Sequence, residues 1–193
     1  MFVHLKTKTI YSLLEGAIFA KDLADKCIKF KMPAVGIADR ANLFGALEFS
    51  EVLSDNGIQP IIGCQLPMSL KEADLKKLRA TDRISMLFLA ANELGYRNLM
   101  ELSSKFFLND TYRFEGMSIR EIDKFSDGLI CLSGGDESPI NNLLKDNKIK
   151  EAKNLLLHFK RTFGDRFYLE MNRHPSGENY IKKVNIEDNI LDL

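Results

Sequence analysis

The stretch Pro33-Ala-Val-Gly-Ile-Ala-Asp-Arg-Ala-Asn-Leu-Phe-Gly45 restricts the fold more than any other part of the chain. Its apolar run, Ala34 to Ala38, lacks polar alternation and stops abruptly at Asp39-Arg40, which predicts a short strand buried on both faces. Leu43, Phe44, Ala46, Leu47 and Phe49 then recur at helical spacing. Strand, polar turn and helix in that order form the repeating unit of α/β folds. In those folds ligands and catalysis sit at the rim just past the carboxyl ends of the strands. Asp39 and Arg40 are therefore the first candidate site residues.

The same pattern recurs along the chain. Strands are predicted at 2–5, 60–64, 84–90, 128–132 and 167–170 as well as at 34–38, with Gln65 just past the end of the third. Helices are predicted from about 18 to a stop before Pro33, and over 43–54, 93–107, 118–124, 139–144, 150–163 and 178–193. The charged segment 69–83 reads as a surface excursion. Six strands, most of them followed by helices, predict a parallel α/β sheet. Short βα units with polar residues after each strand fit a barrel better than an open sheet. No Gly-x-Gly-x-x-Gly follows the first strand, so a dinucleotide site has little support. In a barrel the candidate rim comprises Lys6, Lys8, Asp39, Arg40, Gln65, Ala91, Asn92, Gly134, Gly135, Asn172 and His174.

Several of these residues have plainer readings. Lys6 and Lys8 also read as solvated turn lysines or as contacts to DNA phosphate. Asp39 also reads as a cap on the following helix. The turn Ser133-Gly-Gly135 also reads as a phosphate cradle made of backbone N–H groups. His4 falls in a strand and His158 in a helix, where structural roles are expected. With 193 residues and 45% hydrophobic content, a single domain over 1–193 is expected. Lysine plus arginine and aspartate plus glutamate number 27 each, which excludes a global positive field that would hold nucleic acid by itself. Cys27, Cys64 and Cys131 lie in separate apolar runs and read as buried free thiols of a reducing cytoplasm. The N-terminus lacks an apolar signal region and no run reaches ~18 apolar residues, so a soluble cytoplasmic chain without membrane partners is expected.

The motifs also carry a resemblance. Phe-Val-His-Leu (2–5), Tyr-Ser-Leu-Leu-Glu-Gly-Ala (11–17), Met-Pro-Ala-Val-Gly-Ile-Ala-Asp (32–39), Asn-Leu-Phe-Gly-Ala-Leu-Glu-Phe (42–49) and Gly-Ile-Gln-Pro-Ile-Ile-Gly-Cys (57–64) occur in that order. Ala-Asn-Glu-Leu-Gly-Tyr-Arg-Asn-Leu-Met (91–100), Gly-Leu-Ile-Cys-Leu-Ser-Gly (128–134) and Phe-Gly-Asp-Arg-Phe-Tyr-Leu-Glu (163–170) follow. Together they resemble the N-terminal PHP (polymerase and histidinol phosphatase) domain of the bacterial DNA polymerase III alpha subunit family. The resemblance implies a TIM-like distorted (β/α)7 barrel of the PHP type, here incomplete at its C-terminus. In active relatives its rim holds two or three metal ions and hydrolyses phosphoesters, in some polymerases as a 3′ to 5′ exonuclease.

Carried over by position, the implied metal site is mostly replaced. The family's His-x-His pair falls on Lys6 and Lys8, and an acidic position on Glu15, which keeps a carboxylate. The histidine after Asp39 falls on Arg40, a glutamate on Gln65, a further histidine on Ser85 and a cysteine on Gly135. His174 keeps the family's histidine. The implied reading is a vestigial, metal-free rim with no catalytic residue, in which Lys6, Lys8 and Arg40 pair with Glu15 and Asp39. The resemblance further implies the polymerase body of the same parent chain and a proofreading exonuclease subunit as partners. DNA would be reached through the parent holoenzyme, and the parent's polymerase Mg2+ would sit outside this chain. The alternative is a metal-dependent phosphoesterase or exonuclease with a reduced site at Glu15, Asp39 and His174.

Overall fold

A computed structural model describes residues 2–70 and 84–170, leaving the side chain of Asp136 aside. Residues 71–83, Asn172, His174 and the helix expected at 178–193 lie outside the described residues. Helix α1 (Ala20–Lys29) forms because Ala20, Leu23, Ala24 and Cys27 make one buried stripe at helical spacing. Strand β1 (Ala34–Arg40) is buried over its five central residues, as its unbroken apolar run requires. Helix α2 (Ala46–Asp55) and strand β2 (Gln59–Ser69) follow, then β3 (Ser85–Ala90) and α3 (Glu93–Leu108). The chain continues through α4 (Asp110–Glu115), β4 (Met117–Ser118), α5 (Ile119–Lys124) and β5 (Leu129–Leu132). It ends with α6 (Pro139–Lys145), α7 (Ile149–Phe163) and β6 (Phe167–Tyr168). The sheet order is β1-β2-β3-β5-β6, with β4 paired to the far end of β2.

Three local expectations need correction. The segment 2–5 is not a regular strand. It runs along β1 through the Gly36 N–H to His4 carbonyl bond, the reciprocal Thr7–Gly36 bond and a single bridge at Thr7. Gly36 is required where the two cross, since a Cβ there would sit 2.7 Å from the Leu5 carbonyl oxygen. Strand β2 does not stop at residue 64 but continues through Ser69, which leaves Gln65 mid-strand and 1% exposed. The second helix begins at Ala46 rather than 43, because Asn42 holds a turn by accepting from the Phe44 N–H.

The sheet is also not wholly parallel: β3 runs antiparallel to both β2 and β5. That reversal moves Ala91 and Asn92 to the opposite end of the sheet. There the Ala91 N–H bonds Gly128 and the Asn92 side chain caps α3 by accepting from the Gly95 N–H. It also brings Ser85, the first residue of β3, to the rim where β1 ends.

The core lies in layers. Val35 and Ile37 face α1 and α2 with Phe49 and Leu53, whereas Ala38 packs with Leu87 and Leu89. A larger cluster under β2, β3 and β5 takes Phe88, Leu99, Leu102, Ile122, Phe159 and Phe163 from the strands and from α3, α5 and α7. The three cysteines are buried and free. Among the described residues the sheet does not close by backbone pairing. Its outermost members, the 2–9 segment and β6, are joined instead by the Lys6 ammonium bonding Glu170 at 3.0 Å. No helix among the described residues is long and apolar enough to cross a membrane.

Candidate functional site

The rim grows outward from Asp39, which the end of β1 buries to 2% exposure. One of its carboxylate oxygens accepts from the Thr9 N–H at 2.8 Å and the Ser12 hydroxyl at 2.5 Å. The other accepts from the Thr9 hydroxyl at 2.7 Å. Among the described residues Asp39 thus neither caps α2 nor pairs with a cation; it ties the turn 9–16 to the sheet. Ser12 passes the connection on by accepting from the Arg40 N–H at 3.1 Å.

The ion pairs centre on Arg40, the residue that follows this carboxylate. Lys8 and Arg40 both bond Glu15, the guanidinium through Nε at 2.8 Å. The other side of Arg40 reaches Glu137, with Nη2 at 2.9 and 3.0 Å from its two oxygens. One oxygen of Glu137 also accepts from the Gln65 amide at 2.9 Å and the Ser85 hydroxyl at 2.6 Å. Gln65 donates in addition to Ser85 at 2.6 Å. Lys6 stands further along, bonding Glu170 and, at 3.3 Å, the carbonyl of Gly134. Only glycine suits position 134, where φ is +97° and a Cβ would lie 2.4 Å from the Ser85 carbonyl oxygen. The carbonyl of Gly135 accepts from Asn141, and the Ser133 N–H is committed to Tyr168 in β6.

Among the described residues three cations, Lys6, Lys8 and Arg40, thus stand with four carboxylates, Glu15, Asp39, Glu137 and Glu170. The rim is not a positive cradle for phosphate. Burial alone would raise the Glu15 carboxyl, but hydrogen bonds and charge from Lys8 and Arg40 hold it below the usual carboxylate range. Glu137 is likewise lowered, burial being outweighed by Ser85 and Arg40. Burial would lower Arg40, but Glu137 and Glu15 raise it above its ordinary value. Burial, and then the charge of Asp39, pushes the Cys64 thiol up, so it stays protonated and inert.

These shifts give a sign for acid stability. Both carboxyls are depressed in the folded chain, so their contribution is complete above the ordinary value of 4.5 and is lost as pH falls through the lower folded values. The melting temperature is expected to fall steeply below about pH 4.5. A Glu15→Gln/Glu137→Gln variant should start lower at neutral pH and show a flatter acid limb in thermal melts monitored by circular dichroism. Parallel acid limbs would show that these two groups do not carry the dependence.

Lys8, Glu15, Asp39, Arg40, Gln65 and Ser85 are brought into one bonded network, with Lys6 and Gly135 beside it. His4 is exposed and packs edge-on against Phe2, and His158 of α7 pairs with Asp123 of α5, so neither reaches the rim. Sequence reasoning missed Glu137, Glu170, Thr9 and Ser12. Glu137 had one available signal, its place two residues beyond Gly135 in the turn after β5.

Known proteins resemble this chain over most of its length. The DNA polymerase III alpha subunit of Caulobacter vibrioides is 45% identical over 174 residues, 90% of this chain and 15% of its own length. That of Borreliella burgdorferi is 39% identical over 90% of this chain and 15% of its own length. That of Treponema pallidum is 34% identical over 95% of this chain and 16% of its own length. The chain therefore spans about 15% of the length of such relatives. A crystal structure from Bifidobacterium adolescentis, of a protein assigned as a metal-dependent phosphoesterase, covers 97% of this chain and 96% of its own at 12% identity. Its TM-score of 0.47 is too loose a likeness to argue from. The family description "PHP domain" matches residues 4–174, and on that match the chain belongs to the PHP domain family.

Proposed function

We propose that this chain is a metal-free, catalytically silent PHP domain within a DNA polymerase III alpha subunit, serving as a scaffold against the polymerase body. The observation that carries the reading is the pairing of Arg40 and Lys8 with Glu15 and of Arg40 with Glu137. A divalent cation at a phosphoesterase site needs neutral imidazoles or carboxylates with free lone pairs. Protonated ammonium and guanidinium groups offer none, and they would repel a cation at the same place. Glu137 already accepts from Arg40, Gln65 and Ser85, and Asp39 from Thr9 and Ser12. Among the described residues the rim does not fit a metal cluster.

The relatives supply the setting, since they are named as polymerase subunits many times longer than this chain. In that setting the domain would also dock the separate proofreading exonuclease subunit, and it would work in the cytoplasm and meet DNA only through the assembled enzyme. The test is metal analysis of the purified chain, together with incubation of a 3′-labelled oligonucleotide with manganese. Substoichiometric metal and an unshortened oligonucleotide are expected, alongside measurable binding to the exonuclease subunit. Stoichiometric zinc or manganese, or shortening that disappears in Asp39→Asn, would favour the reduced phosphoesterase instead.

A further inference from the structure

Phe44, in the turn after β1, is 67% exposed and stacks on Phe107 of α3, with ring centroids 6.3 Å apart. Phe107 is held edge-on by the buried Phe106, at 5.3 Å. Leu47, three residues past Phe44 in α2, is 71% exposed, and Met100 shares a face of α3 with Phe107 because seven residues make two turns. The patch is ordered from below. The Ser103 hydroxyl bonds the Ala41 carbonyl at 2.8 Å, joining α3 to the turn, and the Asn42 amide donates to the Tyr11 and Arg40 carbonyls. Large apolar side chains grouped and pre-ordered on a surface mark a contact site more than singly scattered ones do.

The charge around the patch is of both signs. Helix α3 brings Arg97, three residues before Met100 and paired with Glu93, whereas α2 brings Glu48 and Glu51. Glu48 accepts from the Tyr11 hydroxyl at 2.9 Å. Such a surface offers no single-signed field to draw in a separate molecule or to choose among several. A tethered partner needs neither. The chain spans 15% of the length of the relatives it matches, so in a subunit of that kind most residues are joined covalently to this domain and lie outside it. A tethered surface meets the patch at an effective concentration of the order of millimolar, where apolar area and shape suffice without selection by charge. We propose that the rest of the alpha subunit packs on the face formed by Phe44, Leu47, Met100 and Phe107. This rests on the reading of the chain as part of such a subunit and names the face the scaffold uses; it does not depend on the rim being free of metal.

Thiol labelling of a Leu47→Cys variant with a maleimide tests this, read by mass spectrometry at the peptide that carries position 47. The native cysteines of this chain are buried, so the new thiol reacts first. It should label freely in the 193-residue chain, and about tenfold more slowly or worse in the full alpha subunit, alone and without DNA. Adding Phe44→Ser/Phe107→Ser to the subunit should bring the rate back toward that of the short chain, because the contact loses its two largest side chains. Met100→Cys gives the same reading from α3 if a Leu47 variant lowers the melting temperature. Equal labelling of short chain and subunit would overturn the proposal, as would protection that survives the loss of both aromatics. So would protection that appears only when the exonuclease subunit or oligothymidylate is added. Protection already present in the short chain overturns it too, and a rise with concentration would assign that protection to a second copy. A native polypeptide of only 193 residues, sized by immunoblot, would sink the alpha-subunit reading along with the proposal, whereas equal labelling sinks the proposal alone.

Discussion

Asp39→Ala is expected to be the most damaging single substitution at the rim, lowering stability by about 4 kcal/mol. The carboxylate accepts three hydrogen bonds within 2.8 Å, and Thr9, Ser12 and Asp39 are each at most 2% exposed. Alanine would leave the Thr9 N–H without its acceptor in a place water does not reach, at a cost of about 1–3 kcal/mol for that donor alone. The two hydroxyls add to this, and the turn 9–16 loses its tie to β1. For a chain of this size the loss corresponds to a fall of roughly 8–16 °C in melting temperature. Asp39→Asn keeps one acceptor oxygen and should lose about half as much. Lys8→Met, which breaks a partly exposed pair, should cost about 1 kcal/mol or less. Thermal melts rank the three. A melting temperature for Asp39→Ala within a degree or two of the parent would show that the turn holds without this carboxylate.

The same residue shows how far a sequence can be read. Its position was legible because a short apolar strand ends there, and strand ends converge on a rim whichever barrel is built. Its partners were not legible. Thr9 and Ser12 lie 30 and 27 residues away, and nothing in a threonine or a serine announces which carboxylate its hydroxyl will meet. Arg40 and Glu137 are 97 residues apart and meet only because the turn after β5 returns to the rim. Strand direction was hidden for a related reason. The residues of β3 would suit either orientation, since a strand buried on both faces carries no mark of which way its neighbours run. A parallel reading put Asn92 at the site, whereas the resemblance put Ser85 there. The antiparallel pairing of β3 agrees with the second. The helices were more legible, α3 and α7 to within a residue or so, because their buried stripes and caps are local features.

The cations at the rim can be tested by exchanging their role for that of a metal. In a Lys6→His/Lys8→His/Arg40→His/Gln65→Glu variant, the imidazoles would be mostly neutral in mildly alkaline buffer. Glu15, Glu137 and Glu170 would then share the rim with Asp39 and a fifth carboxylate, without the ammonium and guanidinium groups that now pair those three glutamates. Crowded carboxylates cannot all stay ionised, and the metal-free variant is expected to lose about 3 kcal/mol or more relative to the parent. The same groups supply neutral nitrogen and anionic oxygen donors of the kind zinc takes. Zinc that binds only the folded form should recover about 4 kcal/mol when supplied at about 1,000 times its Kd. The melting temperature of the variant should therefore rise with zinc and fall with chelator, while that of the parent moves with neither. A variant as stable without metal as the parent would mean that the present cations do not hold the rim. One that is destabilised yet indifferent to zinc would mean that the rim no longer has the geometry of a metal centre, and that Lys8, Arg40 and Lys6 belong to a different arrangement rather than standing in for ions.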